Sequence, residues 1–396
     1  MNELLSSRVR AMAASATLAM AAKAAELKAQ GLDIISLSLG EPDFPPPQFV
    51  IDAAKEALDG DWHKYSPVNG YKDLREAICR KLERDNRLSY TAEQIVVSTG
   101  AKQCLANLAL VLVDEGDEVL LPAPYWVSYA DLIKLAGGIP IELPTSVETD
   151  FKVSPEQLAA AITPRTKMMW FSSPCNPSGS VYSQEELEGL GKVLRQHPDI
   201  YIVSDEIYEH ISFEDKHTSI ASIEGLYDRT VTVNGVSKAF AMTGWRIGYL
   251  AAPISIAEAC TKMQGQITSG ANSVAQRATI AALDAPIEHI GFMIDEFRAR
   301  RDLVLEGLAK IEGLKLNKPQ GAFYIFVDVS AFFGKVLQGI QIDTADDMSM
   351  YLLEKALVAT VSGTAFGSPK CIRLSYATDQ ETLTEAVERI RVALSL

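Results

Sequence analysis

The chain has 396 residues, 47% of them hydrophobic, enough to bury one large core and a smaller one, so two domains are expected. Its 37 basic residues against 51 acidic ones leave a formal net charge of −14, which argues against nucleic acid or an anionic membrane surface as the main partner. Five scattered cysteines (Cys79, Cys104, Cys175, Cys260, Cys371) form no CxxC pair, pointing to reduced thiols in a cytoplasmic protein and to no metal site.

The first ten residues, Met1 to Arg10, hold no apolar core of signal-peptide length, and no stretch reaches the ~18 consecutive apolar residues of a membrane span. Alanine-rich residues 11–26, with Lys23 and Glu26, read as an amphipathic helix. From 47 to 330, short apolar runs alternate with helix-period stretches, the pattern of an α/β domain. Strands are expected at Ile95–Thr99, Glu118–Leu121, Ile139–Leu143, Lys167–Phe171, Ile200–Ser204, Thr230–Val233 and Ile247–Ala251. Several are apolar at successive positions, as suits strands covered by helices on both faces. A long helical pattern runs from Pro286 to Ile311, with Glu296, Arg298, Arg300, Arg301 and Glu306 read as one polar face. Strands at Gly321–Asp328 and Cys371–Tyr376 then close a smaller α+β domain that includes the N-terminal arm.

In open α/β sheets the ligand crevice lies outside the carboxyl ends of the strands, and that is where this chain places its unusual polar residues. At Gly100-Ala101-Lys102 a strand gives way to a helix whose free N–H groups suit a phosphate, although as a glycine motif this is weak. Trp126 follows the next strand end, placed to stack on a planar ring or simply to pack. Asn176, between Cys175 and Pro177 and two residues after Pro174, has a restricted backbone and either presents its amide to a ligand or marks a plain turn. Asp205 ends an apolar strand, where a carboxylate can pair with a protonated ring nitrogen or cap a following helix. Tyr208 lies three residues on, within reach of the same ligand or of the core.

The richest run is Gly235-Val-Ser237-Lys238-Ala-Phe-Ala-Met-Thr-Gly-Trp-Arg246-Ile-Gly248. A lysine that forms a Schiff base must be reachable, partly desolvated and able to lose its proton near neutral pH. Small neighbours let a bulky group approach the backbone, and Ser237 and Arg246 both suit a phosphate. Arg373 interrupts an apolar strand, where its guanidinium fits bidentate capture of a carboxylate or a surface ion pair.

Gly40, Tyr65, Gly100, Trp126, Asn176, Asp205, Tyr208, Lys238, Arg246 and Arg373 follow the chain order of the fold-type I aminotransferases that use pyridoxal 5'-phosphate (PLP). The runs Leu39–Phe44, Tyr65–Gly70 and Phe240–Tyr249 resemble the bacterial aspartate aminotransferase subgroup, and the likeness covers essentially the whole chain. The resemblance implies a large domain with a mostly parallel seven-stranded sheet covered by helices, plus a smaller α+β domain. It divides the chain into an arm at 1–46, a PLP-binding domain at 47–290 and a C-terminal domain at 291–396. It makes Lys238 the Schiff-base lysine and acid/base, sets Asp205 against the pyridine nitrogen, and gives Asn176 and Tyr208 the ring's phenolic oxygen. It stacks Trp126 on the ring and gives the phosphate to Gly100, Ala101, Lys102, Ser237 and Arg246, with Tyr65 from a partner subunit. Arg373 then takes the substrate α-carboxylate beside Trp126, Asn176 and the Gly40 backbone.

The reaction so implied is ping-pong transfer of an amino group from aspartate to 2-oxoglutarate in a homodimer with shared active sites. Lys102 and Thr17 are the candidates for the distal carboxylate. Ala13-Ala-Ser-Ala-Thr17 departs from the subgroup's Lys-Pro-Ser-Ala-Thr, which counts against activities such as prephenate transamination that depend on that lysine. An aromatic or broad-specificity aminotransferase and a PLP-dependent β-lyase remain as alternatives. A nicotinamide dehydrogenase lacks its GxGxxG fingerprint.

Overall fold

The computed structural model describes residues 4–214 and 217–395; the first three residues of the predicted arm and the final Leu396 lie outside that range. Seven strands build the main sheet: β1 (Ile95–Ser98), β2 (Glu118–Ala123), β3 (Ile139–Pro144), β4 (Thr166–Ser172), β5 (Tyr201–Asp205), β6 (Thr230–Gly235) and β7 (Gly248–Ala251). Their spatial order is β1-β7-β6-β5-β4-β2-β3. All neighbours are parallel except β7, which runs antiparallel to both β1 and β6. All seven expected strands are present, each shifted by no more than a residue or two at its ends.

Their apolar runs have a direct cause. Successive side chains point to opposite faces, and both faces are covered. On one face Val119, Leu121, Met168, Trp170, Val203 and Leu250 pack with Leu105 and Leu108 of the helix Ala101–Leu112, Ile133 of Ser128–Leu135 and Cys260 of Ile254–Ile267. On the other, Leu120, Met169, Phe171 and Ile202 meet Leu187, Leu190 and Leu194 of the helix Gln184–Leu194. Each fully buried aliphatic or aromatic side chain contributes roughly 1.5–3 kcal/mol. Ser183 and Glu186 form a reciprocal capping box that starts Gln184–Leu194, so that helix begins where its exposed amides find side-chain acceptors.

A second, antiparallel sheet orders Val361–Ser362, Cys371–Ser375, Tyr324–Asp328 and Lys315–Leu316. The short strand Ile35–Ser36 pairs in parallel with Val358–Ala359, tying the N-terminal segment to the C-terminal third of the chain.

Two local expectations are corrected. The alanine-rich stretch divides into helices Ser7–Ala11 and Ala16–Ala29, and in the second only Ala24 is fully buried, with Met20 and Leu27 beside it packing on Ile34, Leu353 and Ala359. In Gly291–Leu308, Arg300 and Arg301 do not lie on a solvated face but are 4% and 3% exposed. Arg300 grips Asp43 and Glu296, and Arg301 bonds Pro319 O and Asp302, so each buried guanidinium is compensated.

Candidate active site

Parallel strands deliver their carboxyl ends to one edge, and β4, β5 and β6 end there at Ser172, Asp205 and Gly235. Because β7 is antiparallel, it starts at that same edge: Gly248 is opposite both Ser98 and Gly235. Arg246, just before β7, is thereby brought beside the start of the helix Ala101–Leu112. A cavity of about 380 Å³ opens along this edge. Lys238, Asp205, Tyr208, Asn176, Trp126, Ala101, Lys102, Ser237, Arg246, Gly40, Thr17 and Arg373 all line it.

At the floor, Asp205 is 5% exposed, with Tyr129 Oη donating to its Oδ2 at 2.7 Å and Ile207 N to its Oδ1 at 3.3 Å. Burial raises its carboxyl to about 6, against the lowering pull of those two hydrogen bonds. The helix-cap reading fails, since no α-helix begins after β5 until Ile254, apart from the undescribed residues 215 and 216. Lys238 keeps some exposure through the cavity, yet protein encloses its amine, and burial lowers it to about 8, with Arg373 and Arg246 adding repulsion and Glu41 opposing. Its Nζ donates to Gly40 O at 2.5 Å and sits 5.9 Å from the centroid of the Tyr208 ring. Tyr208 Oη is 2.8 Å from Tyr324 Oη.

At one end, Ala101 and Lys102 lie in the first turn of their helix, whose amide N–H groups have no intrahelical acceptor. The Arg246 guanidinium lies so close over Gly100 that any side chain there would collide with it. Gly248 is equally constrained, because a Cβ would run into the Ala101 amide nitrogen. Arg246 itself has φ 58°, an uncommon conformation for a residue with a side chain. Burial lowers the Lys102 amine, which lies 4.8 Å from the centroid of the Trp126 ring.

At the other end Arg373 is 2% exposed. Its Nη1 donates to Asn176 Oδ1 at 2.8 Å and its Nη2 to Ser38 O at 2.6 Å, while Nε has no partner. Surface pairing is therefore excluded: among the described residues no carboxylate forms an ion pair with Arg373, Arg246, Lys102 or Lys238. A buried guanidinium with only neutral acceptors is completed by an incoming anion.

Of the expected residues, Gly100 does not line the cavity but supports Arg246 from behind. Tyr65 is 99% exposed and lies away from it. Sequence reasoning missed Tyr129, Tyr324, Glu41 and Ser15, which also line it.

Against known proteins, residues 32–390 match the family model described as aminotransferase class I and II. The chain belongs to that family. It is 48% identical over 380 residues to an aspartate/prephenate aminotransferase of Cereibacter sphaeroides, covering 95% of each. It superposes on an aspartate aminotransferase of Rhizobium meliloti with a TM-score of 0.96 at 42% identity, covering 99% of each chain. The Thermus thermophilus aspartate aminotransferase with maleate gives 0.92 at 44% identity, covering 100% of both.

Class I and II aminotransferases depend on PLP, and the residues present fit that group. Two cations and free helix amides without an acidic partner suit its phosphate, and a buried carboxylate held by one hydroxyl and one amide suits a pyridinium.

Proposed function

We propose that the chain is a PLP-dependent aspartate aminotransferase that passes the amino group to 2-oxoglutarate, yielding oxaloacetate and glutamate. The observation that carries this reading is one cavity with Lys238, Asp205 and the unpaired Arg373 on its walls. When bound, PLP supplies an aldehyde carbon and an electron-withdrawing ring. Ala101, Lys102, Ser237 and Arg246 would hold its phosphate, with Gly100 leaving room for the Arg246 guanidinium; Asp205 would hold a proton on the ring nitrogen, and Asn176 and Tyr208 would direct polar groups at the ring oxygen. Trp126 covers the ring face.

Arg373 binds the substrate α-carboxylate, with Trp126, Asn176 and the Gly40 backbone beside it. That leaves the α-proton facing Lys238. Lys238 Nζ then accepts this proton and later returns one. An amine lowered to about 8 is within reach of its uncharged form near neutral pH, as a base for this step requires. Lys102 and Thr17, both on the cavity wall, take the distal carboxylate. The maleate held by the Thermus relative is a dicarboxylate of matching length.

We further propose the division into an arm at 1–46, a PLP-binding domain at 47–290 and a C-terminal domain at 291–396; the pairing of Ile35–Ser36 with Val358–Ala359 supports grouping the arm with the C-terminal domain. Tyr65, bare at 99% exposure, suits a residue offered to the cavity of a second copy, so the working unit is a homodimer. Five free cysteines suit the cytoplasm. Product analysis tests the reaction: incubation with aspartate and 2-oxoglutarate is expected to give oxaloacetate and glutamate in equal amounts. No glutamate here, with pyruvate and free ammonia released instead from an amino acid that carries a β leaving group, such as cysteine, would mean β-elimination and overturn transamination.

A further inference from the structure

Behind the cavity floor lies a buried polar network that touches no part of the cavity. Lys81, on the inner face of the helix Lys72–Asn86, is 1% exposed and pairs with Glu209, which is 6% exposed. Asn86 accepts from Lys81 Nζ at 2.8 Å and donates to Glu209 Oε2 at 2.8 Å. Asn234 Nδ2 donates to Glu209 Oε1 at 2.7 Å, and Asn234 Oδ1 accepts from the backbone N–H of Gly235 at 2.7 Å. The amide of Asn234 is thus oriented at both ends, and its second bond fixes the residue at which the chain leaves β6 for Ser237 and Lys238. Glu209 itself follows Tyr208 and closes the turn from Asp205, with its N–H on Glu206 O at 2.9 Å.

Stability alone does not call for this arrangement. A buried ion pair costs so much desolvation that well-packed apolar residues often serve as well or better. What ions and amides add is direction, because each bond has a narrow geometry. Glu206 and His217 offer ligand atoms within 4.8 Å of those of Glu209. Both Glu209 oxygens are already engaged by Lys81, Asn86 and Asn234, however, so the carboxylate acts as an anchor and not as a metal ligand.

We propose that Lys81, Glu209 and Asn234 are positioning residues for Lys238, the buried pair holding Asn234 and Asn234 holding the amide from which the lysine loop departs. The inference rests on the assignment of Lys238 given above. The Arg373 end of the cavity is fixed separately, by Asn176 and Ser38, so loosening the loop should slow proton transfer more than substrate binding.

The test compares Asn234→Ala with Tyr351→Phe, which removes a different buried hydrogen bond, from Tyr351 Oη to Ala393 O at 2.6 Å, far along the chain. Both should lower Tm. Only Asn234→Ala should lower kcat, by about tenfold, since misplacement by an ångström can cost more than that, with KM for aspartate held within about twofold. In the cofactor-free proteins, amide hydrogen exchange across Gly235–Lys238 should quicken about tenfold in Asn234→Ala and stay at the wild-type rate in Tyr351→Phe. If Asn234→Ala does not fold, Asn234→Ser keeps a local oxygen for Gly235 while losing Glu209, and the same readings apply. Wild-type exchange across this segment, or a raised KM at unchanged kcat, would overturn the proposal. A wild-type protein without transaminase activity would instead overturn the functional reading, and the exchange comparison would still decide the anchor.

Discussion

Asp205 and Glu209 stand four residues apart, both buried, and the protein treats them in opposite ways. Burial raises Asp205 to about 6, because its partners, Tyr129 and the Ile207 amide, are neutral. Burial pushes Glu209 upward too, but the Lys81 ammonium, His210 and His217 beside it together outweigh that and hold the carboxyl well below its ordinary range. The same contrast separates Arg373, buried among neutral acceptors, from Arg300, buried against Asp43 and Glu296. Buried charges whose compensation is inside the chain belong to the scaffold. Asp205 and Arg373, which lack such compensation, lie on the walls of one cavity, where the proposed function supplies their partners as cofactor and substrate.

The largest break in this contrast is Lys238→Ala. It removes the group proposed to move the proton, so kcat should fall by about 10⁴-fold while Tm stays near wild type. Residual activity near wild type would refute the role. Asp205→Ala should come next, with cofactor retention weakened and proton removal slowed by about 10²–10³-fold, read by stopped-flow absorbance after mixing with aspartate. Unchanged rates would contradict it. Arg373→Lys keeps the charge but loses the fork, and should raise KM for every amino acid by roughly tenfold or more at smaller cost to kcat. A rise for aspartate alone would move Arg373 to the distal carboxylate.

The smallest effect concerns stability. A carboxyl whose folded value, about 6, exceeds the ordinary 3.8 contributes stability below about pH 4 that is lost as pH rises through 6. Cofactor-free Asp205→Asn should escape that loss, matching wild type at pH 4 and exceeding its Tm by about 2 °C or more at pH 8. A lower Tm at pH 8 would mean that Asp205 already has a cationic partner inside the chain.

The strands were legible because apolar runs covered on both faces, stopped by glycine or proline, have few other readings, as Lys167–Phe171 shows. The cavity-lining residues were legible through the order and wording of their motifs, Lys238 to Arg246 above all. Long-range pairing was not. Tyr129 looks like any helix core residue, and its bond to Asp205 crosses 76 positions that carry no local signal. Tyr324 sits in an apolar strand, and only the folded chain shows its hydroxyl meeting that of Tyr208. Arg300 and Arg301 misled for the same reason, since helix periodicity does not reveal that Asp43 and Pro319 come to meet them.

The most direct test of the central claim is a single-turnover panel: PLP-loaded protein mixed with one amino acid at a time, without oxo acid, while the cofactor absorbance is recorded. The account predicts rapid conversion to the amine form with aspartate and glutamate, slower conversion with aromatic amino acids, and none in Lys238→Ala. No conversion with any amino acid, or conversion in Lys238→Ala at the wild-type rate, would contradict it.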